Sequence, residues 1–214
     1  RVILLISQNN AVNDKTILYF NKRAPFYNIK SLQWPWSWLR ASEAKAMDVM
    51  LGDISGSNLL DLGCGAGYYA RRYINLKPKR VVAIDLSPEM IAQINDHRIE
   101  CKIGNAALIK IEGNFDKIIS AGLLEFVEDA QAVFANARRH VNDDGHFIAL
   151  LPRESLGGKA YQLFHRRHGI NINLFNLNQL RYIATKTGWT MMNYQFVFPF
   201  TVVATFQPSN GSTT

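Results

Sequence analysis

The sequence predicts an α/β protein in which helices cover both faces of a mostly parallel sheet. Two short apolar segments carry the prediction, because each is typical of a buried strand and carries a carboxylate at or near its end. The first, residues 59–62, contains Asp61, and the second, residues 81–85, ends in Asp85. A glycine-rich loop and an amphipathic segment follow the first. Strand, glycine loop and helix is how parallel sheets present a ligand-binding turn at the carboxyl ends of their strands.

The loop at residues 63–67 narrows the choice of ligand. Its glycines follow the spacing G-x-G-x-G, and glycine suits such a turn because it reaches positive φ at low cost and lets a ligand approach the backbone. Tyr68 stands where the dinucleotide fingerprint has its third glycine, which argues against NAD and FAD. No Gly-Lys-Ser/Thr follows the loop, so a P-loop is excluded.

Asp85, the acid that ends the second apolar segment, lies 18 residues after Gly67 of the glycine loop. An acidic side chain at the tip of the second strand can accept hydrogen bonds from both hydroxyls of a ribose. The runs Asp-Leu-Gly-Cys-Gly-Ala-Gly at 61–67 and Ile-Asp-Leu-Ser-Pro-Glu-Met at 84–90 together resemble two consecutive motifs of class I S-adenosylmethionine (SAM) dependent methyltransferases. The resemblance, dense between about residues 57 and 150, implies a doubly wound, Rossmann-like sheet of seven strands with an antiparallel last strand, and SAM as the cofactor.

The same resemblance implies which residues hold SAM. Asp61 is expected to orient the loop and the amino group, and Asp85 to bind the ribose. Met90 is expected to pack on the adenine. Asn105 stands where the family often has an aspartate, and its amide oxygen can still accept from the adenine amino group. Arg40 suits the methionine carboxylate, which a guanidinium grips through two hydrogen bonds. The full predicted set is Arg40, Asp61, Gly63, Cys64, Gly65, Asp85, Leu86, Met90, Asn105, Ala106 and Ala121.

The segment 114–129 resembles the fourth strand of the family and the loop after it, where subclasses differ. Methyltransferases that act on exocyclic base nitrogens or glutamine amides carry Asn/Asp-Pro-Pro-Tyr/Phe there, whereas this chain has Ser-Ala-Gly-Leu at 120–123. The Pro-Cys typical of cytosine C5 methylation is also missing. Both subclasses are therefore disfavoured.

The chain divides into three expected parts. Residues 1–52 are predicted to form an N-terminal helical lid, residues 53–207 the SAM-binding domain, and residues 208–214 a disordered tail. The lid carries Tyr27 as a further cofactor contact and three tryptophans, which either pack the lid on the domain or form an aromatic wall. Relatives often build their substrate pocket from an insertion like the one expected here at about residues 152–173.

The insertion holds the weak candidates for catalysis, Tyr161, His165 and His168, which share one face of a predicted helix. A histidine there either acts as general base for a hydroxyl or lies exposed in a basic helix. Because His-x-x-His comes with no third ligand, no metal site is predicted. Arg166 and Arg167 are expected at the mouth of the pocket.

Charge placement suggests the acceptor. The net charge of +7 divides into +3 over residues 1–53, −1 over residues 54–150 and +5 over residues 151–214. Basic flanks attract anionic partners or simply remain solvated. We therefore expect O- or N-methylation of a small molecule that is aromatic or lipophilic and anionic. Two alternatives stay open: an RNA or protein methyltransferase that uses the basic flanks, and a non-catalytic SAM-binding partner protein.

Length, hydropathy and cysteine content limit the number of domains, the membrane-spanning segments and the expected compartment. At 214 residues and 48% hydrophobic, the chain suits one α/β domain. No apolar run approaches the ~20 residues of a membrane span. Cys64 and Cys101 form no metal-spaced cluster, so a reducing cytoplasm is the default expectation.

Overall fold

The structure is a computed structural model that describes residues 16–22, 24 and 36–209. Within these ranges, no helix combines the length and the apolar composition that crossing a bilayer requires. Two 3₁₀ helices occupy Ile74–Leu76 and Leu124–Phe126. The helices are α1 (residues 16–22), α2 (Trp36–Leu51), α3 (Tyr68–Tyr73), α4 (Pro88–Ile91), α5 (Ala130–His140), α6 (Leu156–Arg167) and α7 (Leu177–Lys186). The strands are β1 (Asn58–Leu62), β2 (Arg80–Asp85), β3 (Ile99–Ile103), β4 (Phe115–Ala121), β5 (Val141–Pro152), β6 (Trp189–Val197) and β7 (Thr201–Pro208).

The seven strands form one sheet in the order β3-β2-β1-β4-β5-β7-β6. Neighbours from β3 to β5 are parallel, and β7 runs antiparallel between β5 and β6. The predicted fold class, including the antiparallel last strand, is confirmed. Parallel strands joined by crossovers need helices on both faces, and this explains the continuous apolar run 81–84 in the buried strand β2.

Alternate residues of β1 enter different cores, because successive side chains of a strand point to opposite faces. Leu59 packs in a cluster with buried residues of α2 and α3, such as Met47 and Tyr73. Leu60 and Leu62 pack in a second cluster with residues of α5 and α7. The sheet is therefore covered on both faces, and its strand ends remain available for a site.

The register brings three strand tips together. Leu62 of β1 lies opposite Ile84 of β2, and Asp61 lies opposite Ile119 of β4. The loops that leave β1, β2 and β4 consequently emerge beside one another at the carboxyl edge. This edge is where open α/β sheets bind their ligands.

Helix α6 lies in the predicted insertion between β5 and α7. Ser155 caps it, since its Oγ accepts a hydrogen bond from the Gly158 amide at 3.0 Å. The chain then returns through Phe175, which bridges to Arg153. Strand β7 extends to Pro208, and the Ser209 amide donates to Gly188 O, so residues 208 and 209 are ordered; the expected tail stays a prediction for the residues after them. Residues 210–214 and 1–15 lie outside the described residues, and the expected division into lid and domain stays a prediction.

Candidate functional site

The glycine loop is built by backbone hydrogen bonds to β2. The amides of Gly63 and Cys64 both donate to Ile84 O, at 2.8 and 2.9 Å. Gly63 has φ of +73°, and a Cβ there would lie 2.7 Å from Cβ of Leu123. Only glycine fits this position, because both the backbone conformation and the space exclude a side chain. The loop thus turns tightly between the tips of β1 and β4.

Asp85 ties the loop to the tip of β2. Its Oδ2 accepts a hydrogen bond from the Gly65 amide at 2.8 Å, and its Oδ1 accepts from the Ser87 amide at 2.9 Å. Burial raises the pKa of Asp85 above its ordinary value, and these amides, with that of Leu86, oppose the shift. A carboxylate oxygen has two lone pairs, so each oxygen can accept one further hydrogen bond.

The first cavity opens above the loop, at the carboxyl ends of β1, β2 and β4, with a volume of about 990 Å³ including its mouth. The structure brings ten of the eleven predicted cofactor residues onto its wall. They are Arg40, Gly63, Cys64, Gly65, Asp85, Leu86, Met90, Asn105, Ala106 and Ala121.

Asp61 is the exception, and its expected role in orienting the loop and the amino group stays a prediction. It is only 1% exposed and is not among the described residues that line the first cavity. Two residues after Leu59, it faces the α2–α3 side of the sheet, where the Ala70 amide lies close to it. Burial and the charge on Asp85 together raise its pKa to about 8, while the hydrogen bond from the Ala70 amide opposes the shift. Asp61 therefore lies on the α3 side of the sheet, and its raised pKa favours the protonated acid at neutral pH.

Asn105 and Met90 lie on the far wall of the first cavity. Asn105 Oδ1 accepts a hydrogen bond from the Ala107 amide at 2.9 Å, so one of its two lone pairs already holds its own turn. Asn136 donates to Ala106 O at 2.9 Å and fixes the same turn from α5. Met90 is buried and packs against Ala66 of the glycine loop.

Helix α1, which belongs to the segment expected to form the N-terminal lid, lines the first cavity with residues that the sequence analysis did not name. Its Thr16, Ile17 and Phe20 line the wall. The apolar i, i+3 pair of Ile17 and Phe20 was the available signal. The Phe20 ring meets that of Phe126 edge to face at 5.0 Å. At its end the helix is tied to the tip of β2, because Ser87 Oγ donates to Asn21 Oδ1 at 2.6 Å.

A second cavity adjoins the first between α1, α2, α6 and the end of β5. Two carboxyl groups line it, Glu43 of α2 and Glu125 of the 3₁₀ helix after β4, together with the predicted Tyr161, His165 and His168. The sequence analysis missed both acids, although Glu125 stands out as an acid within an apolar run. The two cavities share six lining residues: Phe20, Arg40, Tyr69, Ala121, Gly122 and Phe126.

The three catalytic candidates differ in their surroundings. The Tyr161 ring stacks on Phe200 at 4.6 Å and meets His165 edge to face at 4.5 Å. His165 is buried, and its Nδ1 lies 3.3 Å from the Tyr19 hydroxyl. His168 is exposed at the cavity rim, with Nδ1 2.8 Å from Phe164 O. Among the described residues, no group of three or more potential metal ligands is found.

Arg166 and Arg167, which were expected at the mouth of the pocket, and Trp38 do not line either cavity. Arg166 and Arg167 are exposed on α6, and neither is among the described residues lining the cavities. Trp38 is half exposed, and its ring meets Phe198 at 6.2 Å rather than a cavity. Tyr27 and Trp34 lie outside the described residues. Aromatic side chains do line the second cavity, but α1, α6 and β7 with its preceding loop supply several of them.

The comparisons with known proteins support the predicted family. A family model described as "Methyltransferase domain" matches residues 60–149, which contain the glycine loop and Asp85. Over these residues the chain is similar to SAM-dependent methyltransferases, as the sequence analysis expects.

Relatives and solved structures agree with this assignment. The chain is 28% identical over 153 residues to malonyl-[acyl-carrier protein] O-methyltransferase of Bacillus anthracis, a match that covers 63% of the chain and 55% of the relative. The chain thus spans about half the length of the curated relatives it matches. The DhpI–SAH complex aligns with TM-score 0.75 at 20% identity, covering 96% of the chain and 100% of DhpI. Magnesium protoporphyrin IX methyltransferase from Synechocystis with bound SAH aligns with TM-score 0.74 at 14% identity, covering 93% and 100%.

The raised pKa of Asp61 makes stability depend on pH. Between about pH 4 and pH 8 the folded protein keeps a proton that the unfolded chain releases, so the unfolding free energy falls as pH rises, by up to about 1.4 kcal/mol per pH unit. Asp61→Asn removes this contribution. Urea unfolding at pH 5, 6, 7 and 8 should show the variant gaining stability relative to the wild type as pH rises.

The control for this prediction is Asp144→Asn, at an exposed residue, which should run parallel to the wild type. Parallel profiles for Asp61→Asn as well would contradict the protonated state assigned to Asp61.

Proposed function

We propose that this protein transfers the methyl group of SAM to an oxygen or nitrogen of a small molecule, with SAM in the first cavity and the acceptor in the second. The observation that carries the proposal is the shared wall of the two cavities, which includes Ala121 and Gly122 at the tip of β4. Methyl transfer is an in-line displacement at a sulfonium, so it needs donor and acceptor held in adjoining spaces with a defined approach.

The contacts in the first cavity support a specific orientation of SAM. The unused lone pairs of Asp85 suit the two ribose hydroxyls, and Gly65, fixed by Asp85, leaves open space for the methionine part. Met90 and the turn at Asn105 suit the adenine, whose amino group can donate to the remaining lone pair of Asn105 Oδ1. Arg40 lines both cavities and suits the methionine carboxylate.

The second cavity supports a small acceptor with an aromatic or apolar body. Tyr161, Phe200 and Phe126 line it, and Glu43, Glu125 and His165 add polar groups at restricted places. Apolar walls with a few polar groups are typical of small-molecule sites. Arg166 and Arg167 do not support an anionic acceptor in this cavity, because both are exposed. Their exposure is instead compatible with the alternative of a nucleic acid bound outside the cavity.

A labelling survey tests the acceptor class. SAM carrying a tritiated methyl group is incubated with the protein and a cell extract, which is then separated into small-molecule, nucleic-acid and protein fractions. We expect label to accumulate in the small-molecule fraction, above a control without the protein. Label confined to RNA or protein would overturn the small-molecule proposal. SAM binding without label in any fraction would favour a non-catalytic SAM-binding protein.

Asp85→Ala tests the cofactor site. It removes acceptors for two ribose hydroxyls and the partner of the Gly65 amide, so SAM affinity should fall by about 2–3 kcal/mol. Titration calorimetry measures this loss, with Asp144→Ala as an exposed aspartate control that should bind like the wild type. Unchanged affinity in a folded Asp85→Ala protein would remove Asp85 from the site.

A further inference from the structure

Glu125 carries a carboxyl group at the junction of the two cavities. It is 4% exposed and lines the second cavity. Its Oε1 lies 3.7 Å from the position that a Cβ would take at Gly122, and Gly122 belongs to the shared wall. The carboxyl group is thus adjacent to the surface across which the methyl group would pass, a position that the proposed function makes chemically significant.

One oxygen of this carboxyl group lacks a partner. Glu125 Oε2 is fully buried and has no hydrogen-bond partner within residues 16–22, 24 and 36–209. A buried polar atom without a partner is costly, and nearly all such atoms in native proteins have one. An N–H donor of a bound ligand would satisfy this oxygen.

Glu43 is a second carboxyl group in the same cavity. Burial raises its pKa to about 7, with the Thr201 hydroxyl and the charge on Arg40 opposing the shift. Burial, together with a smaller contribution from the charge on Glu43, raises the pKa of Glu125 to about 8. Two carboxylates that share a site repel one another, so they favour either a shared proton or a bound cation.

The other titratable groups around this cavity decide between a proton and a cation. Arg40 of α2 is the guanidinium whose charge acts on Glu43, and the proposed function commits it to the methionine carboxylate of SAM. Once Arg40 binds that carboxylate, its positive charge no longer compensates the negative charges of Glu43 and Glu125. The remaining groups come from α1, α3 and α6; Lys22 and His168 are exposed at the rim, and the others are Tyr19, Tyr69, Tyr161 and His165.

We propose that the second cavity selects an amine carried on an aromatic or apolar body, with Glu43 and Glu125 holding its nitrogen at the shared wall. The aromatic side chains of Tyr161, Phe200 and Phe126 then surround the body. This proposal rests on the proposed function and names the acceptor class of the same site. It replaces the anionic acceptor expected from segment charge, because the cavity itself presents two acids.

The two carboxyl groups also provide an acceptor for the proton that a bound ammonium must lose before its nitrogen can attack. A bound ammonium gives one proton to the Glu125 carboxylate, which frees the nitrogen lone pair. The nitrogen attacks the methyl carbon, the C–N bond forms as the C–S bond breaks, and the electron pair stays on sulfur to give the demethylated product SAH. The product leaves as a methylammonium, and Glu125 returns its proton to water.

Calorimetric titration with three matched probes tests the proposal. Phenethylamine, 2-phenylethanol and 3-phenylpropionate share a phenyl body and differ in the charge of the head group. Each is titrated into the full chain at pH 7.5, with and without saturating SAH. We expect phenethylamine to bind at least about tenfold more tightly than either of the other two. Its affinity should rise between about pH 6 and pH 8.5, because both carboxyl groups ionise in that interval while the amine stays protonated.

The variants locate the interaction. Glu125→Gln and Glu43→Gln should each weaken phenethylamine binding by about tenfold or more and leave 2-phenylethanol unchanged. Glu112→Gln, at an exposed glutamate, should match the wild type. Equal or tighter binding of the alcohol or the acid, no binding of any probe, or unchanged amine affinity in Glu125→Gln would each overturn the amine proposal.

The two proposals fail separately. Tight amine binding together with no SAM or SAH binding would contradict the proposed function. It would still support the proposal that the second cavity binds an amine. SAM binding and methyl transfer without a preference for amines would support the proposed function and contradict the amine proposal.

Discussion

The contact between the Gly65 amide and the Asp85 carboxylate is the interaction on which the rest of the site depends. It joins the loop after β1 to the tip of β2 across 2.8 Å, and the second oxygen of Asp85 fixes the turn into α4 through Ser87. An ionised carboxylate that accepts from backbone amides makes short and strong hydrogen bonds, which help to keep it charged despite its burial. One side chain therefore shapes the floor of the first cavity and presents unused acceptors to a ligand.

The second cavity depends on a different set of contacts, made by elements far apart in the chain. Helix α1 touches both cavities and is held at one side by Ser87 and at the other by His165. Helix α6 supplies His165 and Tyr161 from beyond β5, while Glu125 comes directly from the loop after β4. Residues that line only the second cavity, such as Tyr161 and His165, can therefore change without altering the wall that the two cavities share.

The cofactor side could be predicted from the sequence because its signals are local. A glycine loop needs glycine wherever φ is positive, and Asp85 ends an unbroken apolar strand, so residue type and position are linked by short-range constraints. Asp61 does not line the first cavity, for an equally local reason. Its place in β1 puts it on the same face as Leu59, toward α3, and a motif does not state which face of a strand its acid takes.

The acceptor side could not be predicted in the same way. A count of basic residues in a segment does not show which way each side chain points. Arg166 and Arg167 were therefore assigned to a cavity, although α6 turns them toward water. Glu43 and Glu125 lie 82 positions apart, and only the packing of α2 against the sheet brings them to one cavity. Residues 142–145 form an irregularity within β5, since strand pairing with β4 resumes at His146 after a shift of register.

A crystal structure of the protein with SAH measures the central claim most directly. The account predicts the ribose hydroxyls within hydrogen-bond distance of Asp85, the adenine between Met90 and the turn at Asn105, and the sulfur beside Gly122 facing Glu125 across the shared wall. SAH bound in the second cavity, or bound in the first with its sulfur turned away from Gly122, would contradict it.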